Sequence, residues 1–214
     1  MNREVYISSA AEFVPMAVGI FAALAPRTVA LSGGSTPAPI YRRLAALRYP
    51  WDSVDVFFGD ERCVPPDDKD SNFRMANAAL LSAVPARAHP MNGVRGDADG
   101  YANELTATFG AAMPRFDLVF LGLGEDGHTA SLFPGSPALD ERTRTVVKVQ
   151  RPDHARLTLT LPVLNAARNS LFLVAGAGKR AALRDLLSDA DIPAARVHSD
   201  RVIVLADEAA AASL

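Results

Sequence analysis

The stretch TVALSGGSTPAPIYRRLAAL, Thr28–Leu47, contains the signals of a strand, a turn and a helix in immediate succession. Its first five residues are mostly apolar, which predicts a buried strand over Thr28–Ser32. A Gly-Gly pair then allows a tight turn, and a helix is expected to follow with Thr36 as its N-cap and Pro37 in its first turn. A strand leading directly into a helix is the unit from which helix-covered parallel sheets are built.

The same alternation continues along the rest of the chain. Most of the strand candidates are continuously apolar rather than alternating, which predicts strands buried on both faces of a sheet. The sequence therefore indicates an α/β fold with a mainly parallel sheet wrapped by helices. The further strands are predicted at Val54–Phe58, Phe116–Leu121, Thr145–Val149, Leu157–Leu161, Leu171–Ala175 and Arg201–Leu205. The helices are predicted at Ser9–Ala25, Ala38–Leu47, Asn72–Ala83, Gly100–Phe109, Lys179–Leu187 and Asp207–Ala212, with Pro15 expected to kink or delay the first.

Composition limits the classes of function. The 214 residues, 49% of them hydrophobic, suit one domain spanning 1–214 with a sizeable core. A net charge of −2 gives no field that would steer nucleic acid or an anionic membrane. No apolar run reaches the ~18 residues of a membrane span, and we expect a cytoplasmic protein. With the single cysteine Cys63 and four scattered histidines, neither a disulfide nor a structural zinc site is expected.

The first candidate binding segment is the loop LSGGSTP, 31–37, after the first predicted strand. Gly33 and Gly34 let the backbone approach a ligand closely, and the start of the following helix favours an anion. The hydroxyls of Ser35 and Thr36 can add donors. A tight strand–helix turn without a ligand explains the same residues, and the sequence leaves both alternatives open.

The second candidate segment, GDERCVP over 59–65, is expected to be a loop that follows the strand ending at Phe58. Arg62 can bind an anion or stabilise a developing oxyanion there, and Asp60 is a candidate acid beside it. Ser71 is expected to cap the next helix, in which Arg74 is either a further anion contact or a surface residue.

The third segment, LGLGEDGHTASLFPG over 121–135, fits both a dinucleotide-binding G-x-G-x-x-G turn and an acid–base site. The nucleotide interpretation requires a long helix directly after the glycines, and Pro134 and Pro137 prevent one. The catalytic interpretation is favoured, because His128 follows the carboxylates Glu125 and Asp126 and is suited to act as a general base. The other three histidines lack a comparable setting in the sequence.

Taken together, these segments resemble the 6-phosphogluconolactonase family. The resemblance runs in order from the first strand to the end of the chain. It is carried by LSGGSTP (31–37), GDERCVP (59–65), SNFRMA (71–76), LGLGEDGHTASLFPG (121–135), RLTLTLPVLNAAR (156–168), GKRAAL (178–183) and the closing IPAARV…VIVLADEAAA (192–211).

The resemblance implies a Rossmann-like α/β fold and the hydrolysis of a sugar-phosphate lactone, 6-phospho-D-glucono-1,5-lactone, without a metal or organic cofactor. It implies that His128 activates the water, that Asp126 is its acidic neighbour and that Arg62 stabilises charge at the lactone. It also implies that Arg156 and Lys179 hold the phosphate. The segment Gly33, Gly34, Ser35 and Thr36 would line the sugar-phosphate site. We expect a monomer that binds neither nucleic acid nor membrane.

Two other functions compete with this one. Glucosamine-6-phosphate deaminases share the fold and the Asp-Gly-His step, but they carry a glutamate where this chain has Phe133 and a tyrosine where it has Arg62. Both departures favour the lactonase. A sugar-phosphate-sensing module without catalysis ranks third, because such modules usually accompany a DNA-binding segment and this sequence contains no helix-turn-helix signal or basic stretch. Whether Asp60 or Asp126 orients His128 or Arg62 is left open by the sequence.

Overall fold

The computed structural model describes residues 3–212 and 214 and contains two sheets flanked by helices. The larger sheet has seven strands, all parallel, in the order β1-β10-β9-β6-β2-β3-β5, and the smaller has the order β4-β8-β7. The strands are β1 Glu4–Ser8, β2 Thr28–Leu31, β3 Asp55–Phe58, β4 Asp60–Arg62, β5 Arg87–Ala88, β6 Leu118–Gly122, β7 Val146–Val149, β8 Arg156–Leu159, β9 Asn169–Val174 and β10 Arg201–Asp207. The helices are α1 Ala10–Leu24, α2 Pro37–Ala45, α3 Asn72–Ala79, α4 Ala98–Phe109, α5 Leu161–Ala166, α6 Arg180–Leu187 and α7 Glu208–Ala211.

The parallel sheet confirms the predicted fold class. Its central strands are buried almost throughout, as their continuous apolar runs indicate, and aromatic residues of the flanking helices pack on them. Phe21 of α1 and Tyr41 of α2 both contact Phe120 of β6, with ring centroids 6.4 Å and 5.7 Å apart. This core fixes the carboxyl ends of the strands at one edge of the sheet.

The smaller, antiparallel sheet corrects the prediction of a single sheet. The strands predicted at Thr145–Val149 and Leu157–Leu161 form as β7 and β8, but they pair with each other and not with the parallel sheet. The predicted loop after Phe58 is in fact strand β4, which pairs antiparallel with β8. Its three charged residues conceal it, because a buried strand is usually recognised by apolar residues.

Besides β4, three short strands or helices were not predicted from sequence: β1, β5 and α5. The strand β1 lies at the edge of the sheet with three of its five residues exposed, and its apolar run, Val5–Ile7, is only three residues long. The strand β5 has only two residues and α5 only six, which is too short for a periodic signal.

The predicted helix starts are mostly confirmed. Ser9 accepts a hydrogen bond from the backbone of Glu12, and Ser71 accepts one from the backbone of Arg74. Pro15 does not delay α1, which begins at Ala10 and runs to Leu24. The prediction that Thr36 caps α2 is wrong: Thr36 itself has helical backbone angles and its side chain makes no cap bond. Side-chain capping requires an extended N-cap residue.

Candidate active site

A cavity of about 350 Å³ opens where four neighbouring strands, β9, β6, β2 and β3, reach their carboxyl ends. Parallel α/β sheets bind ligands at this edge, because the loops that follow the strands converge there. Nine residues expected at the site from the sequence line this cavity: Gly33, Gly34, Ser35, Thr36, Asp60, Arg62, His128, Arg156 and Lys179. The three segments, which lie at 31–37, 59–65 and 121–135 in the sequence, therefore meet in one place.

The His128 imidazole is paired with Asp126 on the cavity wall. Nδ1 of His128 lies 2.5 Å from Oδ1 of Asp126, and the backbone N–H of His128 donates to the same oxygen at 3.1 Å. Burial raises the pKa of Asp126, but the hydrogen bonds from His128 outweigh it, so this pKa lies below its usual value. A carboxylate on Nδ1 fixes the ring orientation and leaves Nε2 as the nitrogen that can accept a proton.

Gly124 makes room for this pair, and Gly127 allows the turn directly before His128. A Cβ atom at Gly124 would lie 2.0 Å from Nδ1 of His128 and 2.5 Å from Oδ1 of Asp126. Gly127 has a φ of +79°, in the left-handed region that favours glycine. Gly124 therefore serves the histidine–aspartate pair and Gly127 the turn before it, which agrees with the rejection of a nucleotide turn. A 3₁₀ turn at Pro137–Asp140 follows instead of a long helix.

Phe133 and Glu125 differ in their relation to His128. The Phe133 ring, which is 5% exposed, lies over the imidazole with ring centroids 4.5 Å apart. The Arg151 guanidinium carbon lies 4.0 Å from the centre of the same Phe133 ring. Glu125 is exposed and lies close to Gly178, where a Cβ would come within 2.6 Å of its Oε1. Of the two carboxylates beside His128 in sequence, the imidazole thus contacts only Asp126.

The Arg62 guanidinium is held by neutral oxygens. Its Nη1 donates to the backbone carbonyl of Asp70 at 2.8 Å and to Oδ1 of Asn72 at 2.9 Å. Within the described part of the chain, no carboxylate forms a salt bridge with it. Its positive charge is therefore available to an anionic group in the cavity.

Asp60 is buried, with 7% of its surface exposed, and both of its carboxylate oxygens accept hydrogen bonds. Oδ1 accepts from Nδ2 of Asn72 at 3.1 Å, and Oδ2 accepts from the hydroxyl of Ser131 at 2.6 Å. Asn72 and Ser131 were not predicted as site residues. Asn72 belongs to the motif SNFRMA, which indicates only the start of a helix, and Ser131 belongs to the loop after His128. Neither pattern indicates that the side chain contacts Asp60.

A buried carboxylate joins β4 to the start of α3. The Glu61 side chain accepts from the backbone N–H groups of Arg62, Asn72 and Phe73 at 2.7–2.8 Å and from the Ser71 hydroxyl at 3.0 Å. Burial raises the pKa of Glu61, although these four bonds act in the opposite direction. The contacts fix the first residue of α3 against the strand that carries Asp60 and Arg62.

Basic and hydroxyl groups line the remaining wall of the cavity. Arg156 donates to Asp153 at 2.6 Å, whereas Lys179 forms no salt bridge in the described chain. Ser32 Oγ, Arg62 Nε and Arg156 Nε are buried without a protein hydrogen-bond partner. Buried polar atoms of this kind are uncommon, and these three belong to residues that line the cavity. Gly34, with a φ of +103°, allows the turn that brings the first loop to this wall.

The structure does not bring Arg74 into the cavity. Asn72 and Arg74 are both on α3, where each residue is rotated by about 100° from the one before. Because Asn72 faces the cavity, Arg74 is turned away, and it is exposed. Of the two alternatives for Arg74, the geometry favours a surface residue.

The other histidines are not as isolated as the sequence indicates. His89 contacts Asp55 through Nε2 at 2.9 Å and Glu104 through Nδ1 at 2.8 Å, while its ring stacks on Phe57. His89 lines none of the cavity, so its carboxylate partners belong to a structural cluster. In the described residues, no group of three or more histidine, cysteine or acidic side chains is placed to hold a metal ion.

Fold and cavity together define an α/β protein with a histidine–aspartate pair and several basic groups around a cavity at the carboxyl edge of its sheet. Residues 2–205 match the family of glucosamine-6-phosphate isomerases/6-phosphogluconolactonase, and the chain belongs to this family. No helix in the described residues is both long enough and apolar enough to cross a membrane.

Individual relatives support the same assignment. A 6-phosphogluconolactonase of Synechocystis sp. is 44% identical over 201 residues, covering 88% of this chain and 83% of that protein. The human 6-phosphogluconolactonase is 40% identical, covering 85% and 78%. The structure of 6-phosphogluconolactonase from Trypanosoma cruzi superimposes with a TM-score of 0.90 at 29% identity, covering 100% of this chain and 97% of that one.

Proposed function

We propose that the protein hydrolyses 6-phospho-D-glucono-1,5-lactone to 6-phospho-D-gluconate, the second step of the pentose phosphate pathway. Membership in the family and the names of the relatives support this reaction. The observation that carries the proposal is the His128–Asp126 pair on the wall of a cavity that also contains the unpaired Arg62 charge. A lactone hydrolase needs a base for water and a positive group for the oxyanion.

In the proposed mechanism, Nε2 of His128 takes a proton from water as its oxygen attacks the C1 carbonyl of the lactone. Asp126 holds the ring and stabilises the imidazolium that forms. Arg62 stabilises the oxyanion of the tetrahedral intermediate. Collapse of the intermediate breaks the bond between C1 and the ring oxygen, and His128 returns its proton to that oxygen. The products are a carboxylic acid, which ionises, and a hydroxyl group.

We propose that the phosphate lies between Lys179, Arg156 and the loop of residues 33–36. A phosphate accepts charge-assisted hydrogen bonds from Lys and Arg and from backbone N–H groups at the start of a helix. Lys179 is the stronger candidate of the two cations, because the Asp153 carboxylate already pairs with Arg156.

The deaminase alternative is disfavoured by the environment of His128. Deamination needs proton transfers at more than one atom, for which those enzymes use a glutamate at the position of Phe133. Here a phenyl ring covers one face of the imidazole and offers no titratable group. The hydrolysis of a lactone has no need of one at that position.

The direct test is a coupled assay on freshly prepared lactone, corrected for spontaneous hydrolysis. The wild-type protein should hydrolyse the lactone rapidly, and His128→Ala should lower kcat by roughly 10²–10⁴-fold with little change in KM. Surface-exposed His198→Ala is the matched control and should leave both constants unchanged. Near wild-type turnover by His128→Ala would remove His128 as the base.

A further inference from the structure

Asp60 and Arg62 are two residues apart on β4, so their side chains leave the same face of the strand. An acid and a guanidinium on the same face of a strand are able to form an ion pair. Instead the Asn72 amide stands between them: Nδ2 donates to Oδ1 of Asp60 at 3.1 Å, and Oδ1 accepts from Nη1 of Arg62 at 2.9 Å. Nδ2 also donates to the backbone carbonyl of Asp60 at 2.8 Å.

We propose that Asn72 is a positioning residue that acts as a neutral spacer, keeping Asp60 and Arg62 apart so that Arg62 retains its charge for the reaction. The inference rests on the proposed lactone hydrolysis. An ion pair with Asp60 would offset the guanidinium charge and turn its N–H groups away from the cavity. A neutral amide satisfies both groups without neutralising either.

The surroundings of Asn72 hold it in this place. Its side chain is almost fully buried, and its backbone N–H donates to Oε1 of Glu61 at 2.7 Å. On the other side Gly33 approaches so closely that a Cβ there would lie 1.8 Å from Oδ1 of Asn72. The amide is therefore confined by the first loop, by β4 and by the start of α3. It contacts both of the groups that it would keep apart, Asp60 and Arg62.

The substitution Asn72→Asp tests the charge without changing the size of the side chain. An aspartate suits the first residue of a helix, but its carboxylate replaces the Nδ2 donor that lies 3.1 Å from Oδ1 of Asp60, so a thermal unfolding curve must first show that the variant is folded. It places a carboxylate on Arg62, and we expect kcat to fall by about 10- to 100-fold, a large part of the effect of losing an oxyanion donor. KM should change little, because the proposed phosphate contacts are untouched. Asn77→Asp, at an exposed position of the same helix, is the matched control and should change neither constant.

A double-mutant cycle separates spacing from general support of the fold. In the Arg62→Ala background there is no charge to protect, so adding Asn72→Asp should lower kcat by less than about threefold. A merely structural role would give the same loss in both backgrounds. The proposal would be overturned if the reductions in kcat caused by Arg62→Ala and by Asn72→Asp multiplied in the double variant, or if Asn72→Asp changed KM instead of kcat.

A crystal structure of Asn72→Ala tests the spacer independently of the reaction. We expect the Arg62 guanidinium to move onto the Asp60 carboxylate once the amide is gone. If Arg62 stays on the Asp70 carbonyl without pairing, Asn72 is not a spacer. Failure of the wild-type protein to hydrolyse the lactone would instead reject the proposed function, and this structural result would still stand. If the ion pair forms but kcat is unchanged, the charge of Arg62 does not serve the reaction.

Discussion

Gly124→Ala is the most discriminating perturbation of the proposed mechanism, because it displaces the base without removing it. The added methyl would lie 2.0 Å from Nδ1 of His128 and 2.5 Å from Oδ1 of Asp126. A carbon atom and a ring atom in contact are separated by about 3.5 Å, so the imidazole must retreat by about 1.5 Å. A misplacement of about 1 Å at a catalytic group costs on the order of 10²-fold in rate.

We therefore expect Gly124→Ala to lower kcat by about 10²-fold or more, with KM nearly unchanged. The fold should persist, because the atoms that must move belong to side chains and Gly124 is not among the residues with positive φ. Steady-state kinetics on the lactone and a thermal unfolding curve measure the two effects separately. In a His128→Ala background the same methyl should cost little more.

Gly19→Ala is the matched control, since a Cβ there meets no atom within 4 Å. It lies within α1, where alanine should raise the free energy of unfolding by about 0.4–1 kcal/mol and leave turnover unchanged. If Gly124→Ala kept kcat within about threefold of the wild type, the alignment of His128 on Asp126 could not be a requirement of the reaction.

Three further outcomes follow from the structure. Lys179→Ala should raise both KM and the inhibition constant of inorganic phosphate by about 10- to 150-fold, the equivalent of 1.5–3 kcal/mol for a hydrogen bond to a charged group; equal inhibition of both proteins would remove Lys179 from the site. Neither the wild type nor Phe133→Glu should release ammonia from glucosamine 6-phosphate, since one glutamate cannot supply the remaining relay; ammonia release by the wild type at a rate rivalling lactone hydrolysis would reverse the assignment. Arg87, His89 and burial act on Asp55 with a net lowering of its pKa from 3.8, so the carboxylate stabilises the fold above about pH 4 and loses this effect as the pH falls through the lowered pKa. Asp55→Asn should thus lower the free energy of unfolding at pH 6 and lower it much less at pH 3. Urea unfolding at both pH values measures this, and an equal loss of unfolding free energy at the two would contradict it.

The position of the site could be predicted from sequence because it follows from topology. Once Thr28–Ser32 and Phe116–Leu121 are recognised as neighbouring parallel strands, the loops after them must meet at one edge. That rule needs only the order of elements and the glycines that interrupt them. In the structure, His128 and the loop of residues 33–36 line the same cavity, although they are separated by more than 90 residues.

The supporting residues could not be predicted in this way. Asn72 reaches Asp60 from 12 residues away and Ser131 from 71, and both contacts depend on how β4 turns out of the parallel sheet to pair with β8. No periodic pattern encodes that turn, because β4 has three residues and all are charged. Arg74 has the residue type of an anion contact and lies near the start of the same helix, but the helix turns it to the side away from Asn72 and the cavity.

Net charge is a poor guide to what this protein binds, and the pattern of ion pairs explains why. The chain is nearly neutral, and several of its exposed arginines are paired with carboxylates, among them Arg87 with Asp55 and Arg201 with Glu4. At the cavity the pattern changes: in the described residues Arg62 contacts only neutral oxygens, and Lys179 forms no salt bridge. A local excess of positive charge therefore exists where the average over the surface shows none, and it arises because neutral groups such as the Asn72 amide take the places that carboxylates fill elsewhere. An anion is attracted to unpaired cations and gains little from paired ones, so the affinity that we propose for a sugar phosphate would depend on which side chains lie next to the basic residues of the cavity.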